Sequence, residues 1–544
     1  MSTTPTGHVR GRDAPQARRG EELLDAQLDR AAESHGSRTA IVDGTHRLSY
    51  LDLARRVDRI AGAMRRRDIG PGDVVSFQLP NWWEASVVHF AAIRLGAVSN
   101  PLVPILRRRE LSFILTQARS KMLFVPATYR GFDHAALAEE LCAEVATLGT
   151  SVVVRGTEGR APTFAELLDE GAEDGPPAAA RSASDPVLLM YTSGTEARPK
   201  GVLHSHESLV YENRTMIERF SLSERDSVFM PSPVTHISGL LYGIHLPVAL
   251  GTKAVFLDQW RPEQGHELVR AEGCTFTVGA TPFLKGLVDA APDDAEAGPM
   301  RCFVCGGADV PPQLIRLAEE KLGWVAVRAY GSTEFPTLSA GGPDDPLERR
   351  ATTDGRILGA AEARVLTDDG TEAPPGTVGN LYVRGPEAFL GYLGRAAGEA
   401  ADPEGWIDTG DQAAIDPEGY VSILGRTKDI ILRGGENISA KEVEEILLGH
   451  PAVLEVAVVA MPDEVLTERA CAFVVTRPGT SLDLAEISRH LESRHLARQK
   501  FPERLELVDS LPRTASGKVQ KAVLRGQVRD QLIAEGRTAL GSAR

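Results

Sequence analysis

At 544 residues the chain is too long for one ordinary core, so two or more domains with ample buried apolar surface are expected. A formal charge of −15 argues against a general binder of nucleic acid or anionic membrane, because attraction to phosphate needs clustered Lys and Arg. The five cysteines, Cys142, Cys274, Cys302, Cys305 and Cys471, are odd in number and sparse, which suits a reducing cytoplasm better than a disulfide framework.

Residues 1–20 are rich in Arg, Gly and Pro and have no apolar core of signal-peptide length, so they read as a disordered lead-in. From 48 to 104 helical patterns alternate with short apolar strands. Val-Val-Ser-Phe at 74–77 is strand-like, 85–95 has helical spacing, and 151–154 is another short strand. This alternation predicts α/β layers. The apolar stretches 87–106 and 240–257 are interrupted by His89 and Arg94, and by His245 and Lys253, so neither is a membrane span. Residues 171–185, a Pro/Ala/Ser/Gly/Asp segment, read as a loop feeding the next strand.

That strand is the apolar run 187–190, extended by Tyr191. Directly after it comes Tyr191-Thr-Ser-Gly-Thr-Glu-Ala-Arg-Pro-Lys-Gly201. Backbone amides and the hydroxyls of Thr192, Ser193 and Thr195 can converge on phosphate oxygens around Gly194, with Lys200 as a point charge. The loop is not a Walker A loop, because Lys200 is followed by Gly201 and Val202 instead of a magnesium-ligating Ser or Thr. Taken alone, an ordinary polar strand-to-helix turn is the competing reading.

Further along, Phe303-Val304 reads as a strand. Gly306-Gly307-Ala308 follows it, so the backbone there can approach a ligand closely. Cys302 and Cys305 form a C-x-x-C with no second Cys/His pair nearby, and read as strand-packing thiols. In Tyr330-Gly-Ser-Thr-Glu334 the aromatic face can pack on adenine, Thr333 can donate to a phosphate and Glu334 can hold magnesium. A turn with a solvated Glu is the alternative.

Asp411 follows Thr409-Gly410, a flexible turn from which its carboxylate can accept two ribose hydroxyls; a structural turn Asp is the alternative. After Gly425 the texture changes. Ser439-Ala-Lys-Glu442 is a capping box, strand-like runs follow at 456–459 and 472–475, and 484–496 is helical, so a small α+β domain is expected from about 427 onward. Lys518 lies in a Gly- and Ser-bearing loop, where a lone lysine would ordinarily be a solvated tail residue.

Five segments in order, the phosphate loop, Tyr330-Gly-Ser-Thr-Glu334, Trp406-Ile-Asp-Thr-Gly-Asp411, Gly425-Arg-Thr-Lys-Asp429 and Pro512-Arg-Thr-Ala-Ser-Gly-Lys518, resemble the AMP-forming adenylating superfamily. This superfamily includes acyl-CoA synthetases, luciferases and peptide-synthetase adenylation domains. The resemblance spans 48–521 and is closest to acyl-CoA ligases of the cyclohexanecarboxylate type.

It implies an α/β N-terminal domain over 21–425, of layered sheets and helices with a small barrel-like subdomain, and a mobile α+β C-terminal domain over 426–544. It implies ATP, Mg²⁺ and CoA as cofactors and co-substrates, and catalytic roles for Lys518, Thr333 and Glu334, with Glu334 holding the metal. ATP or AMP would be bound by Thr192, Ser193, Gly194, Thr195, Lys200, Gly307, Tyr330, Gly331, Ser332, Asp411 and Arg426. His236, Gly239, Gly243 and Gly306 would line the acyl pocket, with a satisfied core histidine the competing reading of His236. Lys428 would be the hinge, and Gly434 and Gly435 one wall of a CoA tunnel.

Two departures stand out. Glu196-Ala197 replaces the usual Thr-Gly of the phosphate loop, and Asn380 stands where Glu is common, so weakened or re-routed pyrophosphate contacts are expected.

The expected activity is adenylation of a carboxylic acid followed by transfer to the thiol of CoA, in a cytoplasmic enzyme without nucleic-acid partner or membrane span; a homodimer is one open assembly. Asn81-Trp-Trp-Glu84, Arg107 to Phe113 and the small residues Gly239, Gly243, Gly306 and Gly307 point to a wide chamber for a bulky alicyclic, polycyclic or aromatic acid. Linear medium-chain acids, transfer to a carrier protein or separate partner enzyme, and a catalytically dead nucleotide sensor are the alternatives.

Overall fold

The computed structural model describes residues 9–10, 22–157, 159, 161–171, 181–192, 199–292, 298–307, 310–395, 400–426, 429–433, 436–463, 466–494, 496–513 and 518–535. Past its first few residues the chain divides into two compact units, His8–Ala363 with Val383–Ile407, and Arg364–Tyr382 with Asp408–Arg544. This grouping places 364–382 and 408–425, which the sequence reading assigned to the N-terminal domain, with the C-terminal part of the chain.

The first unit is layered α/β. Among the described residues one sheet has seven strands in the order Gly391–Tyr392, Lys200–Ser205, Pro186–Thr192, Val98–Pro101, Val74–Phe77, Ser120–Pro126 and Thr150–Val154. The second has nine, with Val325–Tyr330, Cys302–Gly306, Phe276–Gly279, Ser227–Met230, Lys253–Phe256 and Thr39–Asp43 running in parallel at its centre. Strands buried on both faces read as continuous apolar runs, which explains why they lack alternation.

Every residue of the helix Trp83–Arg94 is buried. A helix apolar all round belongs inside a core, and the polar side chains it carries need partners. Glu84 receives two hydrogen bonds from Arg155, at 2.8 and 2.9 Å. Arg94 pairs with Asp29 and Asp58. His89 shares a 2.6 Å Nε2 to Nε2 hydrogen bond with His245, and its Nδ1 lies 2.8 Å from Ser99 Oγ.

Val9–Arg10, inside the expected lead-in, form a two-residue strand paired antiparallel with Glu362–Leu366. Val9–Arg10, Glu362–Leu366, Gly379–Arg384, Ile407–Ile415 and Val421–Arg426 form a five-stranded sheet in that order. In the second unit Val453–Asp463 and Thr467–Thr476 pair antiparallel, with Val456 opposite Val474. The helices Ala440–Leu448, Leu484–Ser493 and Lys521–Ala534 belong to the same unit. Ser439 caps the first through Glu442 N at 3.3 Å. The Glu442 carboxylate instead accepts from Lys500 Nζ at 2.6 Å, so the expected capping box is half made.

Cys302 and Cys305 sit three apart on one strand and enter different clusters of the core, as packing thiols should. Burial pushes the thiols of Cys274, Cys302, Cys305 and Cys471 up to about 12. Cys142 alone of the five is partly exposed. Native protein titrated with a chromogenic disulfide should therefore give one fast thiol, lost in Cys142→Ser. Fast reaction of two or more in the native state would contradict the burial.

Candidate active site

The two strands flanking the phosphate loop form an antiparallel hairpin, with Thr192 opposite Lys200 and Tyr191 opposite Gly201. The competing strand-to-helix reading is thus corrected: the helix starts only at His206, after the return strand. Ser193, Gly194, Thr195, Glu196 and Ala197 lie outside the described residues. A Cβ on Gly201 would come within 2.9 Å of Leu189 and 3.1 Å of Tyr191, so the hairpin base admits only glycine without repacking.

Tyr330-Gly-Ser-Thr-Glu334 is the outgoing half of a second hairpin, with Tyr330 opposite Ser339. Its tip closes tightly, Ser332 N donating to Phe335 O at 2.8 Å and Phe335 N to Ser332 Oγ at 3.1 Å. Gly331 is required there, because a Cβ would lie 1.8 Å from the Pro336 carbonyl oxygen.

One contact joins the two hairpins directly, and two more reach Glu334 from a third segment, 389–392. His204 is fully buried, its Nε2 2.7 Å from Thr333 O and its Nδ1 3.1 Å from Ser208 Oγ. A carbonyl can only accept, so the imidazole proton is on Nε2. Burial pushes His204 down to about 4, keeping it neutral in this donor state at pH 7. Phe389 N donates to Glu334 O at 2.9 Å, and the Tyr392 hydroxyl donates to Glu334 Oε1 at 2.9 Å. Tyr392 lies opposite Val202 on the return strand of the phosphate hairpin. Lys200 Nζ and the Arg395 guanidinium each stand 5.6 Å from its ring centroid. The first unit thus brings Lys200, Thr333 and Glu334 together around Tyr392 and His204.

His204, Tyr392 and Arg395 were missed by sequence reasoning, since each acts through residues more than a hundred positions away in the chain or through a ring unremarkable in sequence. Asn81 was noticed only for its resemblance. It is 3% exposed and clamps the segment leading to His236. Its Nδ2 lies 3.1 Å from Met230 O, 2.9 Å from Ser232 O and 3.1 Å from Leu257 O, and its Oδ1 accepts from Val234 N at 2.8 Å.

His236 is the N-cap residue of the short helix Ile237–Leu240, half-buried, with Nδ1 3.1 Å from Ser238 Oγ. A single π-turn, Leu241–His245, follows, a local over-winding that recurs at functional sites. Gly239, Gly243 and Gly306, expected along the acyl pocket, each stand close to the protein's own atoms. A Cβ on Gly239 would lie 1.9 Å from Pro233 O, on Gly243 2.6 Å from Met230 Cγ, and on Gly306 2.6 Å from Ala329 O. These three glycines are occupied by packing. Gly307, with φ +77° and nothing within 4 Å of a built Cβ, keeps open space.

In the second unit Asp411 lies within the strand Ile407–Ile415, opposite Arg426, and is not in a turn. Gly410 has φ +69°, which kinks the strand just before it, and Asp411 N donates to Thr409 Oγ1 at 3.1 Å. Asn380 is on the strand Gly379–Arg384. Lys518 is exposed beside Val519, which pairs with Arg513 in an isolated antiparallel bridge. Lys428, Gly434 and Gly435 lie outside the described residues.

The AMP-binding enzyme family model matches residues 28–393, and the AMP-binding enzyme C-terminal domain model matches 442–518. The chain is 36% identical over 523 residues to the medium-chain fatty-acid–CoA ligase of Escherichia coli (strain K12), covering 94% of this chain and 92% of that one. It is 34% identical over 524 residues to a salicylyl-CoA synthase / salicylate adenylyltransferase of a Streptomyces species, covering 93% and 94%. The structure of ATP-bound MatB from Rhodopseudomonas palustris matches with a TM-score of 0.84 at 28% identity, covering 94% and 100%. The chain belongs to the AMP-binding enzyme family, within the AMP-forming adenylating superfamily, and is an ATP-dependent acyl-CoA ligase.

Tyr392→Phe removes a hydrogen bond to a charged carboxylate and leaves the fold's apolar contacts in place. The KM for ATP in pyrophosphate release should rise about three- to tenfold. An unchanged KM would show that Tyr392 does not orient Glu334.

Proposed function

We propose that the enzyme activates a ring-bearing carboxylic acid as its acyl adenylate and transfers the acyl group to CoA. Support comes from the full-length match to two ligases named for CoA thioesters, one of them for salicylate. The medium-chain relative, with the higher identity of the two, favours linear acids as the second reading.

A carboxylate cannot acylate a thiol directly, because its leaving group would be oxide. Attack of the carboxylate oxygen on the α-phosphorus of ATP forms a mixed anhydride and expels pyrophosphate, with charge building on the equatorial phosphate oxygens. Lys200 would meet the outer phosphates and the Thr333 hydroxyl the α-phosphate, held by the two joined hairpins. Glu334 suits Mg²⁺, which binds through one or two carboxylates completed by substrate phosphates and water. Its Oε1 is already oriented by Tyr392. A bound Mg²⁺ would neutralise developing phosphate charge.

Asp411 and Arg426, directly opposite on neighbouring strands, suit a ribose diol as acceptor and donor. In the second half reaction the CoA thiolate attacks the acyl carbonyl and AMP leaves. Withdrawal of Lys518 about Lys428, with Gly434 and Gly435 beside the incoming thiol, completes the proposal on the strength of the motifs.

Lys518→Ala should slow adenylate formation about 10²- to 10³-fold while thioester formation from supplied acyl adenylate persists. Parental adenylation by the variant would remove Lys518 from catalysis. In direct competition, salicylate or cyclohexanecarboxylate should exceed octanoate in kcat/KM. The reverse order would establish the linear-acid reading, since an apolar pocket discriminates by only about 1–3 kcal/mol per methylene.

A further inference from the structure

The helix His206–Phe220, capped by Ser205 Oγ accepting from Ser208 N at 3.2 Å, carries a buried acid that no motif accounts for. Glu212 is 1% exposed. Its Oε1 accepts from the Tyr242 hydroxyl at 2.5 Å, and that hydroxyl lies 2.6 Å from Thr337 Oγ1. Tyr242 belongs to the π-turn directly after the His236 segment, and Thr337 stands three residues past Glu334. One carboxyl therefore joins the segment proposed to face the acid to the hairpin proposed to face the phosphates.

The protonation state of Glu212 decides which way this chain of hydrogen bonds runs. When the carboxyl is ionised, Thr337 donates to Tyr242 and Tyr242 donates to Glu212, so the chain ends on a charge-assisted bond. When it is neutral, a proton on Oε1 makes Glu212 the donor and reverses both bonds. Burial raises the Glu212 carboxyl to about 7, and the Tyr242 hydroxyl is foremost among the groups that pull it back.

A second acid faces it. Glu387 is 1% exposed, and neither of its carboxyl oxygens has a hydrogen-bond partner among the described residues. Burial, then the Glu212 charge, hold Glu387 well above the usual carboxylate range. The phenols facing this pair, Tyr242 and Tyr211, are raised by burial and do not ionise in that range.

We propose that Glu212 is a positioning residue for acid selection, its carboxyl clasping the π-turn through Tyr242 to Thr337 so that use of the acid, and not of ATP, depends on its ionisation. This rests on the acid-activating reading above. Glu212 acts through Tyr242 and Thr337.

The test compares the parent with Glu212→Gln and Tyr242→Phe in pyrophosphate release between pH 6 and 8, varying acid and ATP separately. The parent kcat/KM for acid should step upward with pH by about fivefold, as the charge-assisted bond forms. Both variants should lack the step and keep the parental KM for ATP. A variant that retains the step, or one that shifts ATP and acid equally, overturns the proposal.

A parent that adenylates no acid overturns the acid-activating reading instead. Thermal unfolding then decides the clasp. Because the folded carboxyl binds its proton more tightly than the unfolded one, parental stability should fall as pH rises from about 4.5 to 7. Glu212→Gln should flatten that fall, and identical Tm profiles would reject an ionising Glu212.

Discussion

The arrangement of the first unit depends on a neutral imidazole. His204 sits one strand residue beyond Leu203, yet its Nε2 proton holds the Thr333 carbonyl in a loop that joins two strands of the other sheet. Burial prevents a charge from forming on this imidazole, outweighing the Thr333 carbonyl and the Glu334 carboxylate, which both favour it. With that contact made, Phe389 and Tyr392 fix the backbone and side chain of Glu334 from a third segment. The phosphate hairpin and the carboxylate hairpin are thereby held as one piece before any nucleotide arrives, which is the preorganisation electrostatic catalysis requires.

Much of this was legible as local pattern. The strand before the phosphate loop, the strand holding Cys302 and Cys305, and the paired strands of the second unit announce themselves as short apolar runs, because burial on both faces leaves no polar positions. The motif residues were legible through their order along the chain. What the sequence hid is contact across long separations: nothing near Asn81 says that its amide will meet Met230, Ser232 and Leu257, and nothing near Glu212 foretells Tyr242 and Thr337.

Glycine carries two readings here. Missing side chains at Gly239, Gly243 and Gly306 suggest room for a substrate, and the structure adds a second reason for them, since a Cβ at each would meet Pro233, Met230 or Ala329. A glycine can record the approach of a ligand or of the protein's own backbone, and only the neighbouring atoms distinguish the two. Asp411 was misplaced for a related reason, since Gly410 bends a strand at a point where Thr-Gly-Asp reads as a turn.

The Asn81 clamp bears on how this scaffold could change its substrate over evolutionary time. Its amide engages three carbonyls and one N–H at once. Aspartate lacks the donors, leucine lacks both functions, and glutamine places them one methylene too far. Drift at 81 would unfasten the stretch before His236, so the position is closed to exploration. The residues beyond the clamp, from Ile237 through the π-turn, are free of that constraint. New acid preferences should accumulate there, as substitutions on a helix whose entry point is pinned.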